Sequence, residues 1–186
     1  MLHRVFTSID LPEELKNRLL ALKNDYPDLP ARWTNRENIH ITLNFLGNVD
    51  DNQLKDVLDK AESVALKYEP FVIETDRILY GPPGKFPPRM VWLNIKENEA
   101  LAKLQRELEN ELFSLESFRF KKSEQRKYHP HITLARIKSF AFRKMSNPPD
   151  INIPLDFSFE VASFEIVESE LEKGGSIYTI LKTIDL

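Results

Sequence analysis

Residues 40–43 and residues 131–134 carry the same four letters, His-Ile-Thr-Leu. The first copy sits in Ile39-His40-Ile41-Thr42-Leu43-Asn44-Phe45, the second in Pro130-His131-Ile132-Thr133-Leu134-Ala135. Strict alternation marks both as half-buried strands, because side chains two apart on a strand share a face and stand about 6.5–7 Å apart along it. On that pattern Ile39, Ile41, Leu43 and Phe45 point to the core, while His40, Thr42 and Asn44 point away from it; in the second copy His131 and Thr133 point away. The offset between the copies, residue 40 against residue 131, is about half of a 186-residue chain that holds only 4 histidines. An internal duplication accounts for this, and two related lobes would then each bring one such strand to a shared groove.

The rest of the chain alternates strand and helix patterns. Residues 3–9 read as a strand. A helix follows from Asp10, a candidate cap, through Pro12, Leu15, Leu19 and Leu22 to about Tyr26. A strand at 39–46 leads to a helix capped by Asp50 or Asp51, with Leu54, Val57, Leu58, Ala61 and Val64 on one face. Residues 71–79 and 89–95 read as strands around a rigid loop from Gly81 to Pro88 that holds four prolines and two glycines. A third helix spans about 97–115 on Leu101, Leu104, Leu108 and Leu112, and a basic irregular segment precedes a strand at 131–137. Residues 138–154 read as loop or a short helical turn, and two strands at about 157–168 and 176–184 close the chain. This order gives an α+β class with largely antiparallel sheet.

Composition narrows the chemistry. With no cysteine, disulfides, thiolate nucleophiles and Cys-ligated zinc are excluded. No apolar run approaches membrane-helix length, and the first ten residues are too short and polar for a signal peptide, so a cytoplasmic protein is expected. A net charge of −3 argues against a long nucleic-acid footprint, though not against one phosphate in a local basic cleft.

Two imidazoles across a groove suit displacement at phosphorus. One neutral histidine takes a proton from the nucleophile, and one protonated histidine gives a proton to the leaving oxygen; an unperturbed pKa near 6.5 allows both. Hydroxyls of Thr42 and Thr133 beside them can donate to the non-bridging oxygens, where charge gathers. A cyclic 2′,3′-phosphate fits, because attack and departure lie on opposite sides of phosphorus. A metal site is the competing reading, but two histidines supply only two ligands where catalytic zinc takes three, so neither metal nor cofactor is expected. A single motif copy would more often be a structural histidine; the matched pair is what favours catalysis.

These motifs resemble those of the 2H phosphoesterase superfamily, defined by two His-x-Thr/Ser motifs, and within it the RNA 2′,3′-cyclic phosphodiesterase branch, historically called 2′-5′ RNA ligase. The likeness extends through Arg4-Val5-Phe6, Asp10-Leu11-Pro12, Arg32-Trp33, Glu37–Gly47, Pro88–Leu93, His129–Arg136, Ser169-Glu170-Leu171 and Gly175–Tyr178. The resemblance implies a bilobal fold with pseudo-twofold symmetry, sheets lining a central cleft and helices outside, so that residues 1–186 form one bilobal domain. It implies hydrolysis of 2′,3′-cyclic phosphate ends to 2′-phosphomonoesters, with His40 as proton donor and His131 as base, and in some relatives 2′-5′ joining of RNA ends. RNA ends, tRNA fragments among them, are the partners it implies, with a monomer expected because no heptad or apolar patch calls for assembly.

Other residues are weighed against plainer readings. Arg136 can hold phosphate, but alternation places it on the core side unless the strand bends or bulges there. Arg126 and Lys127 read as a solvated charge cluster more readily than as an RNA contact. Trp33, Tyr128 and Phe86 can each stack on a base but are more often simply packed. The 81–88 loop is either a cleft wall or a stiff connection. His129 is expected to point away from the groove as a structural residue, and His3 carries no assigned chemistry. A non-catalytic RNA-end binder, or a related enzyme acting on another phosphodiester such as a 2′-5′ oligonucleotide, are the alternatives.

Overall fold

The computed structural model describes residues 1–115, 128–172 and 175–186. Strand β1 (Leu2–Ile9) leads into helix α1 (Glu13–Asp25), the short strand β2 (Ala31–Trp33), a 3-10 turn at Arg36–Asn38, strand β3 (Ile41–Asp50), helix α2 (Asp51–Ala65) and strand β4 (Phe71–Gly81). Then come β5 (Met90–Ile95), α3 (Glu99–Phe113), β6 (His131–Ile137), α4 (Ser139–Arg143), β7 (Asn152–Pro154), β8 (Ser158–Val161), β9 (Ser163–Glu172) and β10 (Gly175–Asp185). The expected basic segment with Arg126 and Lys127 lies outside the described residues. Among the described residues no helix is long and apolar enough to cross a membrane.

Local signals explain most of these elements. Asp50 accepts from the backbone N–H groups of Asn52 and Gln53, while the Gln53 side chain accepts from the Asp50 N–H, a reciprocal cap that starts α2. Asn98 caps α3 by accepting from Leu101 N–H at 2.9 Å. The leucine stripe of α3 is wholly buried: Leu101, Leu104, Leu108 and Leu112 each have 0% exposure. Helix α1 buries Leu15, Leu19 and Leu22 as its spacing requires, but Asp10 does not cap it. Pro12 holds the cap position, and Asp10 instead receives an ion pair from Lys16 Nζ at 2.7 Å.

All pairings between the described strands are antiparallel, in the order β10-β9-β1-β3-β6-β5-β4-β7, with β2 alongside β6 and β8 alongside β4. Read outward from the β3–β6 junction, this order is symmetric: β3 matches β6, β1 matches β5, and β9 matches β4. The matched units in sequence are β1-α1-β3-α2-β4 and β5-α3-β6-α4-β9. Each unit therefore keeps its first two strands together and sends its third to the other lobe, β4 onto β5 and β9 onto β1. The bilobal, pseudo-twofold α+β expectation holds, and the lobes are interleaved rather than merely side by side.

This interleaving corrects one expected element. Residues 157–168 are two strands in different lobes, β8 on β4 and β9 on β1, with the crossing at Ala162. Buried positions change phase there, from Phe159 and Val161 to Phe164 and Ile166. Strands β2 and β7 were not expected; each is three residues long, too short for an alternation to register.

Candidate active site

The two motif strands meet at the centre of the sheet, where Ile41 pairs with Ile132. Both isoleucines are fully buried, so the residues on either side of each face the opposite way. Extending the antiparallel register by one residue in each direction sets His40 beside Thr133 and Thr42 beside His131. The two histidines are then diagonal neighbours, about 7–8 Å apart at the backbone. All four side chains line one groove of about 430 Å³, together with Arg32, Phe45, Met90, Arg136 and Tyr178. Tyr128 ties the two motifs together: its buried hydroxyl donates to the Thr42 carbonyl at 3.0 Å.

Both rings are held the same way. His40 Nδ1 lies 2.9 Å from the carbonyl of Asn38, and His131 Nδ1 lies 2.8 Å from the carbonyl of His129. A carbonyl only accepts, so each Nδ1 carries a hydrogen and each Nε2 is the nitrogen left for the groove. His40 Nε2 accepts from Thr42 Oγ1 at 3.0 Å. Burial lowers the pKa of both: His40 falls to about 4, and His131 falls below its ordinary value. The smaller influences differ. The Asp10 charge favours a cation at His40 and the His131 charge disfavours one, whereas charges at His129 and Arg136 both disfavour one at His131.

Packing fixes the rings further. The His131 ring lies 4.2 Å from the Trp92 ring between centroids. Trp92 in turn covers Gly81, where a Cβ would come within 2.4 Å of the indole. On the other side, His40 packs on Phe6 at 5.1 Å and Tyr178 at 5.5 Å.

A bulge follows each motif threonine. Against β1, Thr42 and Asn44 face consecutive partners, Ser8 and Thr7, which leaves Leu43 as the extra residue. Against β5, Thr133 and Ala135 face Trp92 and Val91, which leaves Leu134 as the extra residue. The leucine of each motif is thus the inserted position, and the alternation changes phase after it. Two expectations are overturned. Phe45 is not core but 71% exposed on the groove, and Asn44 is buried, receiving a 3.4 Å hydrogen bond from Thr7 Oγ1. The condition set for Arg136 is met: the bulge turns it onto the groove. Phe45 and Arg136 occupy the same place in the two repeats, five residues after the histidine.

The other candidates sort plainly. Trp33 lines the groove, Tyr128 is engaged with the Thr42 carbonyl, and Phe86 packs against Phe142 in the 81–88 connection, away from it. His129 does not point away from its neighbour: two residues before His131 it shares that side, with ring centroids 6.4 Å apart. His3 bridges Glu168 and Asp51 at 2.8 and 3.0 Å on the far side of the sheet. Sequence reasoning missed Phe45, Arg32, Asn38 and Met90. For Phe45 the signal was present, since the same Thr-Leu pair precedes it as precedes Arg136. Among the described residues no group of three or more histidine, aspartate or glutamate side chains is placed to hold a metal ion.

Comparison with known proteins adds the family. The model of the family described as LigT like Phosphoesterase matches residues 9–92 and again residues 93–178. An RNA 2′,3′-cyclic phosphodiesterase of Methanocaldococcus jannaschii is 30% identical over 96% of this chain and 98% of its own. Among solved structures, TT0787 of Thermus thermophilus superposes with a TM-score of 0.84 at 28% identity, covering 98% of this chain and 97% of that one. LigT of E. coli, crystallised with 3′-AMP, superposes with a TM-score of 0.81 at 26% identity over 100% of this chain and 99% of that one.

Proposed function

The chain belongs to the LigT-like phosphoesterase family, and from that membership we propose that it hydrolyses RNA 2′,3′-cyclic phosphate ends to 2′-phosphomonoesters by two-histidine acid–base catalysis. The observation that carries the reading is the groove itself, where one histidine and one threonine from each repeat converge and each imidazole has its Nδ1 tied to a backbone carbonyl, which leaves Nε2 for chemistry.

In this scheme the cyclic phosphate sits between the two motifs, with Thr133 donating to its non-bridging oxygens and Thr42 doing so once protonation of His40 Nε2 frees its hydroxyl hydrogen. His131 Nε2 accepts a proton from a water whose oxygen bonds to phosphorus. The bond from phosphorus to the 3′ oxygen breaks, and His40 Nε2 delivers a proton to that oxygen. The backbone carbonyls at Asn38 and His129 steady each ring and favour its charged form. At rest, burial outweighs these influences in both rings; the charge of an arriving phosphate loads His40 with its proton. The two repeats act as one catalytic unit in a monomer, since neither carries both histidines. If a 5′-hydroxyl takes the place of water, the same geometry yields a 2′-5′ joint, and tRNA fragments with cyclic ends are among the RNAs it would accept.

Replacing either His40 or His131 by Ala should lower turnover of an oligonucleotide with a 2′,3′-cyclic end by about 10² or more, with phosphorus NMR identifying a 2′-phosphate as the wild-type product. Near-normal turnover in both variants would reject the scheme. Tight binding without product from the wild-type protein would instead indicate an RNA-end binder, and inactivation by EDTA would revive metal chemistry.

A further inference from the structure

We propose that Arg32 and Arg136 form a second phosphate subsite, one that takes the internucleotide phosphate next to the cyclic end and so selects RNA chains over cyclic mononucleotides. The inference rests on the catalytic reading above. Strand β2 lies along the outer half of β6, and Arg32 faces Arg136 directly in their register. Both line the groove that holds the motif histidines. Like charges directly opposite on neighbouring strands repel and cost stability unless something lies between them.

Nothing acidic does. Among the described residues neither guanidinium has a carboxylate partner, and the contact recorded for Arg136 is a long one, Nη1 to the Met90 sulfur at 4.0 Å. Arg18, Arg36, Arg77, Lys16, Lys60, Lys67, Lys96, Lys103 and Lys182 pair with carboxylates, while others such as Arg4, Arg89 and Arg106 do not among the described residues; what sets the groove pair apart is that its two guanidiniums share one register position inside the groove. The two arginines of the groove are left for an anion from outside.

Position says which anion. Along β6, Thr133 stands one same-face step from His131, and Arg136, once the bulge is counted as a single place, stands one step further, about 6.5–7 Å each. A phosphate between the histidines and threonines is therefore followed along the groove by a second cationic place at nucleotide-scale spacing. The start of β10 covers this end, where a Cβ on Gly175 would lie 3.9 Å from Arg32 Nη1. Two planar forks at the same place suit bidentate contact with phosphate oxygens. Among the described residues the pseudo-symmetric end, marked by Phe45, carries no such pair, so the groove has a direction.

The test uses three substrates with the full-length protein: a nucleoside 2′,3′-cyclic phosphate, a dinucleotide ending in a 2′,3′-cyclic phosphate, and that dinucleotide with an uncharged methylphosphonate between its nucleosides. For wild type, kcat/KM should rank the charged dinucleotide at least tenfold above the other two. Arg32→Ala should cut the charged dinucleotide's kcat/KM at least tenfold, mainly through KM, and bring it to within about threefold of the methylphosphonate. Arg32→Lys should restore part of the loss. Equal losses on all three substrates, or a wild type indifferent to the internal charge, would overturn the subsite while leaving the catalytic reading intact. Failure of wild type on every substrate would remove the catalytic reading itself. Arg32 is exposed, and an unchanged circular dichroism spectrum and melting temperature would show that the variant is folded.

Discussion

At the scale of single residues, the acid–base pair imposes a pH profile whose direction follows from burial. One imidazole must be protonated while the other is neutral, and in the free protein both lose their protons below the ordinary histidine pKa, His40 at about 4. The singly protonated form is most populated between those two values. Because kcat/KM reports free-enzyme groups, it should peak on the acid side of pH 6.5 and fall about tenfold per unit above the upper value. The kcat profile should extend to higher pH, since bound phosphate favours the protonated ring; a kcat/KM maximum at or above pH 7.5 would contradict the assignment. Gly81 offers a second handle. A methyl group there collides with Trp92, whose ring packs on that of His131. Gly81→Ala should cost about 1–3 kcal/mol of stability by overpacking and lower kcat more than it raises KM, measured by thermal melts and steady-state kinetics on the same preparation.

At the scale of elements, the reciprocal cap of α2 is a stability device remote from the chemistry. Asp50→Ala should remove about 1 kcal/mol and lower the melting temperature by about 2–4 °C without changing kcat/KM. Elements like this one were legible in the sequence because their signals are local: a cap, a stripe of leucines, a doubled motif. The helices α2 and α3 and the motif strands could be read directly. Asp10 could not, because its choice between capping α1 and pairing with Lys16 depends on where Pro12 falls in the first turn. Nor could the groove positions of Phe45 and Arg136. Alternation assigns faces only within an unbroken pleat, and a bulge is decided by the partner strand. The same limit hid the split at Ala162, although the shift of apolar phase from Phe159 and Val161 to Phe164 and Ile166 marks it once the two lobes are known. Arg32 was invisible for another reason: its strand has three residues and exists only because β6 runs past β3 and leaves an edge to fill.

At the scale of the molecule, the exchanged third strands make each repeat dependent on the other. A fragment ending in the 81–88 connection holds β4 without β5, and the remainder holds β9 without β1. Cleaved there, neither fragment alone should show a cooperative melt, and mixing the two should restore both the melt and turnover, because the severed loop contributes nothing to the groove. Independent folding of either fragment would mean that the exchanged strands matter less than their pairing suggests. The exchange also speaks to origins. A lone β-α-β-α-β unit would have no acceptor for its last strand except a neighbour's sheet, and its one histidine would have no counterpart except a neighbour's. A closed twofold dimer satisfies both needs at once. Within one chain the halves are free to differ, and the aromatic ring at one end and the guanidinium at the other are differences that two identical polypeptides could not encode.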